Sequence, residues 1–402
     1  MKKRILLISQ HFYPEIGSAG NRIKNIFQLL KKRNYDVSVL TTEPTYPNKE
    51  LYKNPEFWDE DSLNKDGSIQ RISVKNRKYA QTIFNRLIYY LEIALKFVMF
   101  IFKDDKKYDV IFVSSPPIFI GLVGIIAKKK YRSKLILDVR DLWPESLKGV
   151  NVFNNRLIIF VFELLERKLY EQADYIVINS LGFLEHIAVK NKIASGKIWF
   201  IPNGAREGEI VGEKSTRNGN EDFNVIYAGN IGLAQDAVLL MDVAKELGKH
   251  SIKISVISYG LRRKNFIDFV KEHQLENVVI IPPLPRKECL KFISAHQVGI
   301  VTLNGNEVFN TVLPGKIIDY MTCKVPIVAG VSGYSREVIE TERIGFVSLN
   351  RDKSEIINYV LAMRSDPSLI ESLADNCTNY VRNLFYWEKN IEKLVEILEK
   401  QV

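Results

Sequence analysis

The chain has 402 residues, 46% hydrophobic and 26% charged, more than one hydrophobic core serves, so two domains of roughly 200 residues each are expected. With 57 Lys and Arg against 47 Asp and Glu, the net charge is +10, which suits anionic partners such as nucleic acid, an acidic membrane surface or phosphorylated small molecules. Cys289, Cys323 and Cys377 are odd in number, far apart and without metal-ligand spacing, which argues against a disulfide framework or a zinc module and fits a reducing cytoplasm.

Met1-Lys2-Lys3-Arg4 before Ile5–Ile8 has the outline of a secretion signal, but the apolar run is too short and Gln10-His11 interrupts it. The pattern predicts a strand over 4–9, a Gly-containing loop over 10–20, and an amphipathic segment with Ile23, Ile26, Phe27 and Leu30 on one face. A strand holding Val37, Val39 and Leu40 completes a β-α-β unit. Residues 87–102 are almost wholly apolar, yet they contain Glu92 and Lys96 and number only sixteen, short of the ~20 a membrane span needs. Strand-like runs at 108–114, 134–139, 174–179 and 198–202 extend a parallel sheet covered by helices.

The first domain is placed at 1–204, and the polar, Gly-rich residues 205–222 are read as a linker. The pattern then restarts, with strands at 223–228, 252–258, 278–282, 298–303 and 326–329 and helices near 235–248, 261–273, 286–295 and 315–323. These give a second domain at 223–384. The expected class is α/β, two Rossmann-like, doubly wound parallel-sheet domains, with the ligand at the carboxyl ends of the strands in the cleft that they face.

Chemistry concentrates in four loops. Asn310 to Tyr320 (NTVLPGKIIDY) sets a Pro-Gly turn, Lys316 and Asp319 at the mouth of a predicted helix. Backbone N–H groups at a helix start bind a diphosphate, and an acid one turn further in accepts from ribose hydroxyls; a plain helix cap is the simpler alternative. The other loops are Phe12–Arg22 (FYPEIGSAGNR), Asp138–Ser146 (DVRDLWPES), and the pair Ile201-Pro202-Asn203-Gly204 and Tyr227–Gly232 (YAGNIG). A glycine-then-basic stretch follows at Tyr259–Lys264 (YGLRRK).

Together these loops resemble the retaining, metal-independent glycosyltransferases of family 4, which have the GT-B fold, over nearly the whole chain. Asp138–Glu145 resembles the Asp-x-Arg-Asp-Leu-Trp-Pro-Glu box of a subgroup containing bacterial fucosyl- and N-acetylfucosaminyl-transferases of O-antigen and capsule assembly. The resemblance implies donor contacts from Gly17, Gly229, Asn230, Gly232, Arg263, Lys264, Thr311, Leu313, Gly315, Lys316 and Asp319. It implies acceptor contacts from Tyr13, Glu15, Ser18, Asn21, Arg22, Trp143 and Glu145, and catalytic roles for Arg140, Asp141 and Lys316. Phe385–Glu388 and a helix over 388–400 resemble the segment that in this fold crosses back to the first domain, so 385–402 is assigned there.

The chain departs from the family pattern in two places. Arg140 stands where many members have the histidine of a His-Asp pair, and Thr311 stands where the first of two glutamates is expected, eight positions before Asp319. The missing acid suits a donor sugar that lacks a hydroxyl or bears an N-acetyl group. A buried Asp138–Arg140 ion pair, with Trp143 as core packing, is the structural alternative for the second loop.

Asp59-Glu60-Asp61 and Asp104-Asp105 lie in polar loop sequence, and the five histidines include no pair at ligand spacing, so no metal site and no cofactor are expected. Apolar patches at 87–102 and 152–165, flanked by Arg86, Lys103, Lys106, Lys107, Arg156, Arg167 and Lys168, suit an anionic inner-leaflet surface; interdomain or dimer packing is the alternative. The expected function is transfer of a sugar from a nucleotide donor to a polyprenyl-diphosphate-linked acceptor in capsule, O-antigen or exopolysaccharide synthesis, peripheral to the cytoplasmic face of the plasma membrane. UDP with an N-acetylated 6-deoxyhexose is the favoured donor and GDP-fucose the second. A nucleotide-sugar epimerase of the same fold and a non-catalytic scaffolding subunit are the rivals. The dispersed basic residues carry no nucleic-acid motif.

Overall fold

The computed structural model describes residues 2–75, 83–150, 155–212 and 223–400. Residues 213–222 of the expected linker and 152–154 of the second apolar patch lie outside the described residues. The chain divides into two compact units, Met1–Pro202 with Glu388–Val402, and Asn203–Trp387.

The first unit is built on seven parallel strands: β1 (Arg4–Ile8), β2 (Asp36–Thr42), β3 (Ile69–Ile72), β4 (Val110–Ser115), β5 (Lys134–Val139), β6 (Tyr175–Ile178) and β7 (Ile198–Phe200). Their order is β3-β2-β1-β4-β5-β6-β7, with Ile5 opposite Val37 on one side and Val110 on the other. Helices cover both faces of such a sheet, so its central strands read as unbroken apolar runs, and Ile5 to Ile8 are all within 1% of full burial. The helices are α1 (Ser18–Lys32), α2 (Asp61–Asn64), α3 (Ile83–Lys103), α4 (Ile118–Tyr131), α5 (Glu145–Gly149) and α6 (Arg156–Gln172).

The second unit holds six parallel strands: β8 (Asn224–Asn230), β9 (Lys253–Tyr259), β10 (Val278–Ile281), β11 (Val298–Thr302), β12 (Ile327–Gly330) and β13 (Gly345–Val347), ordered β10-β9-β8-β11-β12-β13. Its helices are α7 (Ala237–Lys249), α8 (Arg263–Glu272), α9 (Arg286–Ser294), α10 (Gly315–Thr322), α11 (Gly333–Thr341), α12 (Lys353–Ser365) and α13 (Pro367–Leu384). Tyr227, Leu240, Val243, Val256 and Phe266 sit at the centre of its core. The last helix, α14 (Trp387–Glu399), packs on the first unit, where Tyr35 donates to Glu399 at 2.6 Å and Lys393 donates to the Phe200 carbonyl at 3.3 Å.

Strand order reverses between β1 and β4 and again between β8 and β11. Such reversals open a crevice outside the carboxyl ends of the strands, and each unit places its chemistry-bearing loops at that end.

Candidate active site

In the second unit, α10 is positioned by its own Tyr320. The hydroxyl accepts the Ala228 N–H at 2.8 Å and donates to the Ile300 carbonyl at 3.2 Å, tying the helix to β8 and β11. Residue 299 must be glycine for this, because a Cβ there would lie 2.5 Å from the Tyr320 ring. No side chain caps the start of α10 after Pro314; the Ile317 N–H bonds back to the Pro314 carbonyl at 3.0 Å, so the helix-start N–H groups suited to a ligand are those of Gly315 and Lys316.

Lys316 stands at this start. Its Nζ lies 3.6 Å from the centre of the Tyr227 ring, is sealed from water and has no hydrogen-bond partner. Burial lowers its pKa to about 7. Next to it runs the β8 turn: Gly229 has φ of +126°, and a Cβ on it would sit 3.6 Å from Lys316 Cε. Beyond the turn, Asn230 Oδ1 is buried without a partner, as is Ser258 Oγ on β9. Gly260, at φ +104°, lets the β9 turn approach, since a Cβ there would fall 1.9 Å from Asn230 Oδ1. Orphaned polar atoms gathered at one sheet edge mark a place where a polar ligand supplies the missing partners.

Asp319 lies one turn along α10, and its Oδ1 accepts from Arg286 Nη1 at 3.0 Å. Burial raises the Asp319 pKa, and Arg286 works against that rise. Arg286 also pairs with Glu209, so one guanidinium joins α9, α10 and the segment before the second sheet. Arg263 turns inward, its Nε donating to the Ser258 carbonyl at 2.9 Å, whereas Lys264 is exposed and pairs with Asp268 at 2.6 Å. Thr311 donates to the Val308 carbonyl at 2.7 Å, and Leu313 is 9% exposed.

In the first unit, Arg22 and Asp138 form a fully buried bidentate pair, with contacts of 3.0 Å and 2.8 Å to Asp138 Oδ1. Ser114 donates to Asp138 Oδ2 at 3.0 Å and accepts from Arg140 Nε at 2.7 Å, while Arg140 itself stays 3.9 Å from Asp138. Burial pushes the neighbouring Asp141 carboxyl up to about 6. The glycine loop is braced from within. Glu15 accepts from the Thr45 and Tyr46 N–H groups at 2.6 Å and 2.9 Å and contacts His11 Nδ1 at 2.6 Å. The Tyr13 hydroxyl accepts the Glu60 N–H at 2.7 Å.

Residues 17–204 match the family described as glycosyl transferase 4-like domain, and residues 212–384 match glycosyl transferases group 1. The chain is a glycosyltransferase of the GT-B type. An uncharacterized glycosyltransferase of Methanocaldococcus jannaschii is 18% identical, covering 100% of this chain and 99% of its own. Among solved structures, sucrose-phosphate synthase from Thermosynechococcus elongatus has a TM-score of 0.75 at 17% identity, with 99% and 98% of the two chains covered. HepE of Anabaena, solved with UDP-glucose, has a TM-score of 0.69 at 15% identity, covering 98% of this chain and 99% of its own.

The glycosyltransferase thus brings Gly229, Asn230, Gly232, Gly315, Lys316 and Asp319 to one end of its second sheet. On its first sheet Gly17 and Ser18 are exposed, whereas Tyr13, Glu15 and Arg22 are at least 95% buried and bonded within the domain. Asn21 is half-buried and bonded to Asn25. Trp143 is half-buried, with the Tyr90 and Phe162 rings each 6.0 Å away, and Glu145 bridges Lys148 and Lys190. Asp138 has two cationic partners, Arg22 at 2.8 Å and Arg140 in a looser ion pair at 3.9 Å, so the expected Asp138–Arg140 pair is present as the weaker of the two. Among the described residues no group of three His, Cys, Asp or Glu is placed to hold a metal ion, and no helix is long and apolar enough to cross a membrane. Arg286, Glu209 and Arg71 went unseen in the sequence, because each acquires its meaning from partners distant in the chain.

Proposed function

We propose that the enzyme is a retaining transferase taking a sugar from a nucleoside diphosphate donor held by the second domain. The observation that carries this reading is Lys316 Nζ, sealed and unpartnered at an uncapped helix start beside the Gly229 turn. A donor diphosphate would supply the charge that this ammonium lacks and would accept from the N–H groups of the helix start. Arg263, directed inward, is assigned the second phosphate contact in preference to Lys264. The two cations would offset the charge on the departing diphosphate, the task that a metal performs in other transferases. Asp319, held by Arg286 through one oxygen, would receive a ribose hydroxyl on the other. The mechanism we assign is front-face displacement: the acceptor hydroxyl gives its proton to the leaving diphosphate oxygen as the new glycosidic bond forms. Arg140 and Asp141 of the first domain are assigned the catalytic roles that the resemblance implies.

UDP is the favoured carrier, in keeping with the UDP-glucose complex of HepE. An N-acetylated 6-deoxyhexose is the favoured sugar, resting on the Asp138–Glu145 string and on Thr311 in place of an acid. For the acceptor we propose a polyprenyl-diphosphate saccharide of surface polysaccharide synthesis, met at a membrane. The support is a set of exposed apolar side chains on two helices that each pack on α4. Leu95, Met99 and Phe102 of α3 are 64%, 57% and 63% exposed, and Leu157, Phe160 and Leu164 of α6 are 71%, 54% and 51% exposed. Exposed Lys103, Lys106, Arg156 and Arg167 flank them, as an anionic leaflet requires.

The test is sugar transfer from a panel of UDP- and GDP-sugars to a farnesyl-diphosphate-linked saccharide, with chelator present, comparing wild type with Lys316→Ala. One donor turned over by wild type and at least tenfold less by the variant is the expected result. Donor isomerisation without transfer would establish the epimerase reading instead.

A further inference from the structure

Arg71 is the penultimate residue of β3, at the carboxyl edge of the first sheet. Its guanidinium is held between two rings, 5.3 Å from the centre of Trp58 and 5.6 Å from that of Phe12. Its Nη2 donates to the Tyr13 carbonyl at 2.7 Å. Its Nη1 is sealed from water and has no hydrogen-bond partner. Glu43 and Glu15 act on it as charges without pairing with it, and both Glu15 oxygens are already bonded elsewhere.

Gln10 stands at the same edge. It is 2% exposed, and neither its amide oxygen nor its amide nitrogen has a partner. Thr41 connects the two residues: it lies opposite Arg71 in the strand register, and its hydroxyl donates to the Gln10 carbonyl at 3.2 Å.

A guanidinium nitrogen sealed without a hydrogen-bond partner and a buried amide with nothing to bond are each costly, and a fold keeps such groups where a ligand completes them. The guanidinium fork matches phosphate oxygens, and the Gln10 amide can both donate to a phosphate and accept from an adjacent hydroxyl. We propose that Arg71 and Gln10 form an anion subsite on the first domain that takes a phosphate group of the acceptor. This rests on the transferase reading, and it specifies an acceptor that carries phosphate, either as a lipid-linked diphosphate or as a sugar phosphate.

The experiment titrates farnesyl diphosphate and glucose 6-phosphate, with farnesol and glucose as uncharged controls, into Lys316→Ala protein, where donor-side phosphate binding is weakened. The same titrations follow in Lys316→Ala combined with Arg71→Met, Arg71→Lys or Gln10→Leu. At least one phosphate probe is expected to bind with at least tenfold loss in Arg71→Met, a smaller loss in Arg71→Lys and Gln10→Leu, and no change for the controls. A response confined to farnesyl diphosphate assigns the subsite to a lipid-linked acceptor, and one confined to glucose 6-phosphate to a soluble one. Phosphate binding unchanged in all three variants, or a lower melting point for Arg71→Met with binding unchanged, would overturn the proposal and make Arg71 an internal clamp. Should Arg71→Met fail to fold, Arg71→Lys and Gln10→Leu decide by the same criterion. UDP stabilisation of the wild type, measured in parallel, reports on the donor site separately.

Discussion

A lysine sealed inside a domain without a partner costs stability, and Lys316 shows how that cost depends on pH. An unfolded lysine keeps its proton to about pH 10.5, whereas the folded Lys316 releases it near 7. Between those values unfolding takes up a proton, so this group makes stability rise with pH through the window, with the full penalty present below it. Lys316→Met is therefore expected to be more stable than wild type below pH 7, by on the order of a few kcal/mol, with the gap closing as pH rises. Urea unfolding on both sides of that value checks it; a gap that stays constant with pH would mean that the lysine is charged throughout. Arg286 behaves oppositely. Arg286→Met leaves Glu209 and Asp319 without their shared partner, and a loss of about 3 kcal/mol is expected by urea unfolding. Lys316 and Asp319 were legible in the sequence because they are three positions apart on one short helix. Arg286 was not, since it lies 33 residues from Asp319 and 77 from Glu209, and nothing local marks its partners.

The helices and central strands were legible because burial on both faces leaves long apolar runs. Two strands were missed, β3 (IQRI) and β13 (GFV), both short and both at sheet edges. An edge strand buries less and tolerates polar residues, so its pattern weakens. Arg71 was passed over for that reason, lying in the unrecognised β3. The docking of α10 makes a prediction at this scale. Gly299→Ala forces a methyl group against the Tyr320 ring, 2.5 Å from its nearest atom, and should cost about 1–3 kcal/mol while weakening nucleotide binding through displacement of the helix start. Urea unfolding with parallel nucleotide titration checks both effects; unchanged nucleotide affinity would show that the position of α10 does not govern the donor site.

For the whole molecule, two architectural claims are joined: a donor site on the second domain and a membrane-facing patch on the first. The patch predicts that Leu95→Glu with Phe160→Glu, both exposed positions, reduces sedimentation with anionic vesicles at least fivefold and leaves the melting temperature unchanged. Vesicle binding that survives the double substitution would remove the membrane from the account. The donor site is the central claim, and melting of the protein with UDP, GDP, ADP or dTDP, in chelator, for wild type and Asp319→Ala, tests it most directly. A nucleotide at a hundredfold excess over its dissociation constant adds about 2.7 kcal/mol to the folded state, enough for a melting curve to resolve. The account predicts selective stabilisation by UDP that is lost in Asp319→Ala; no stabilisation of the wild type by any nucleotide would contradict it.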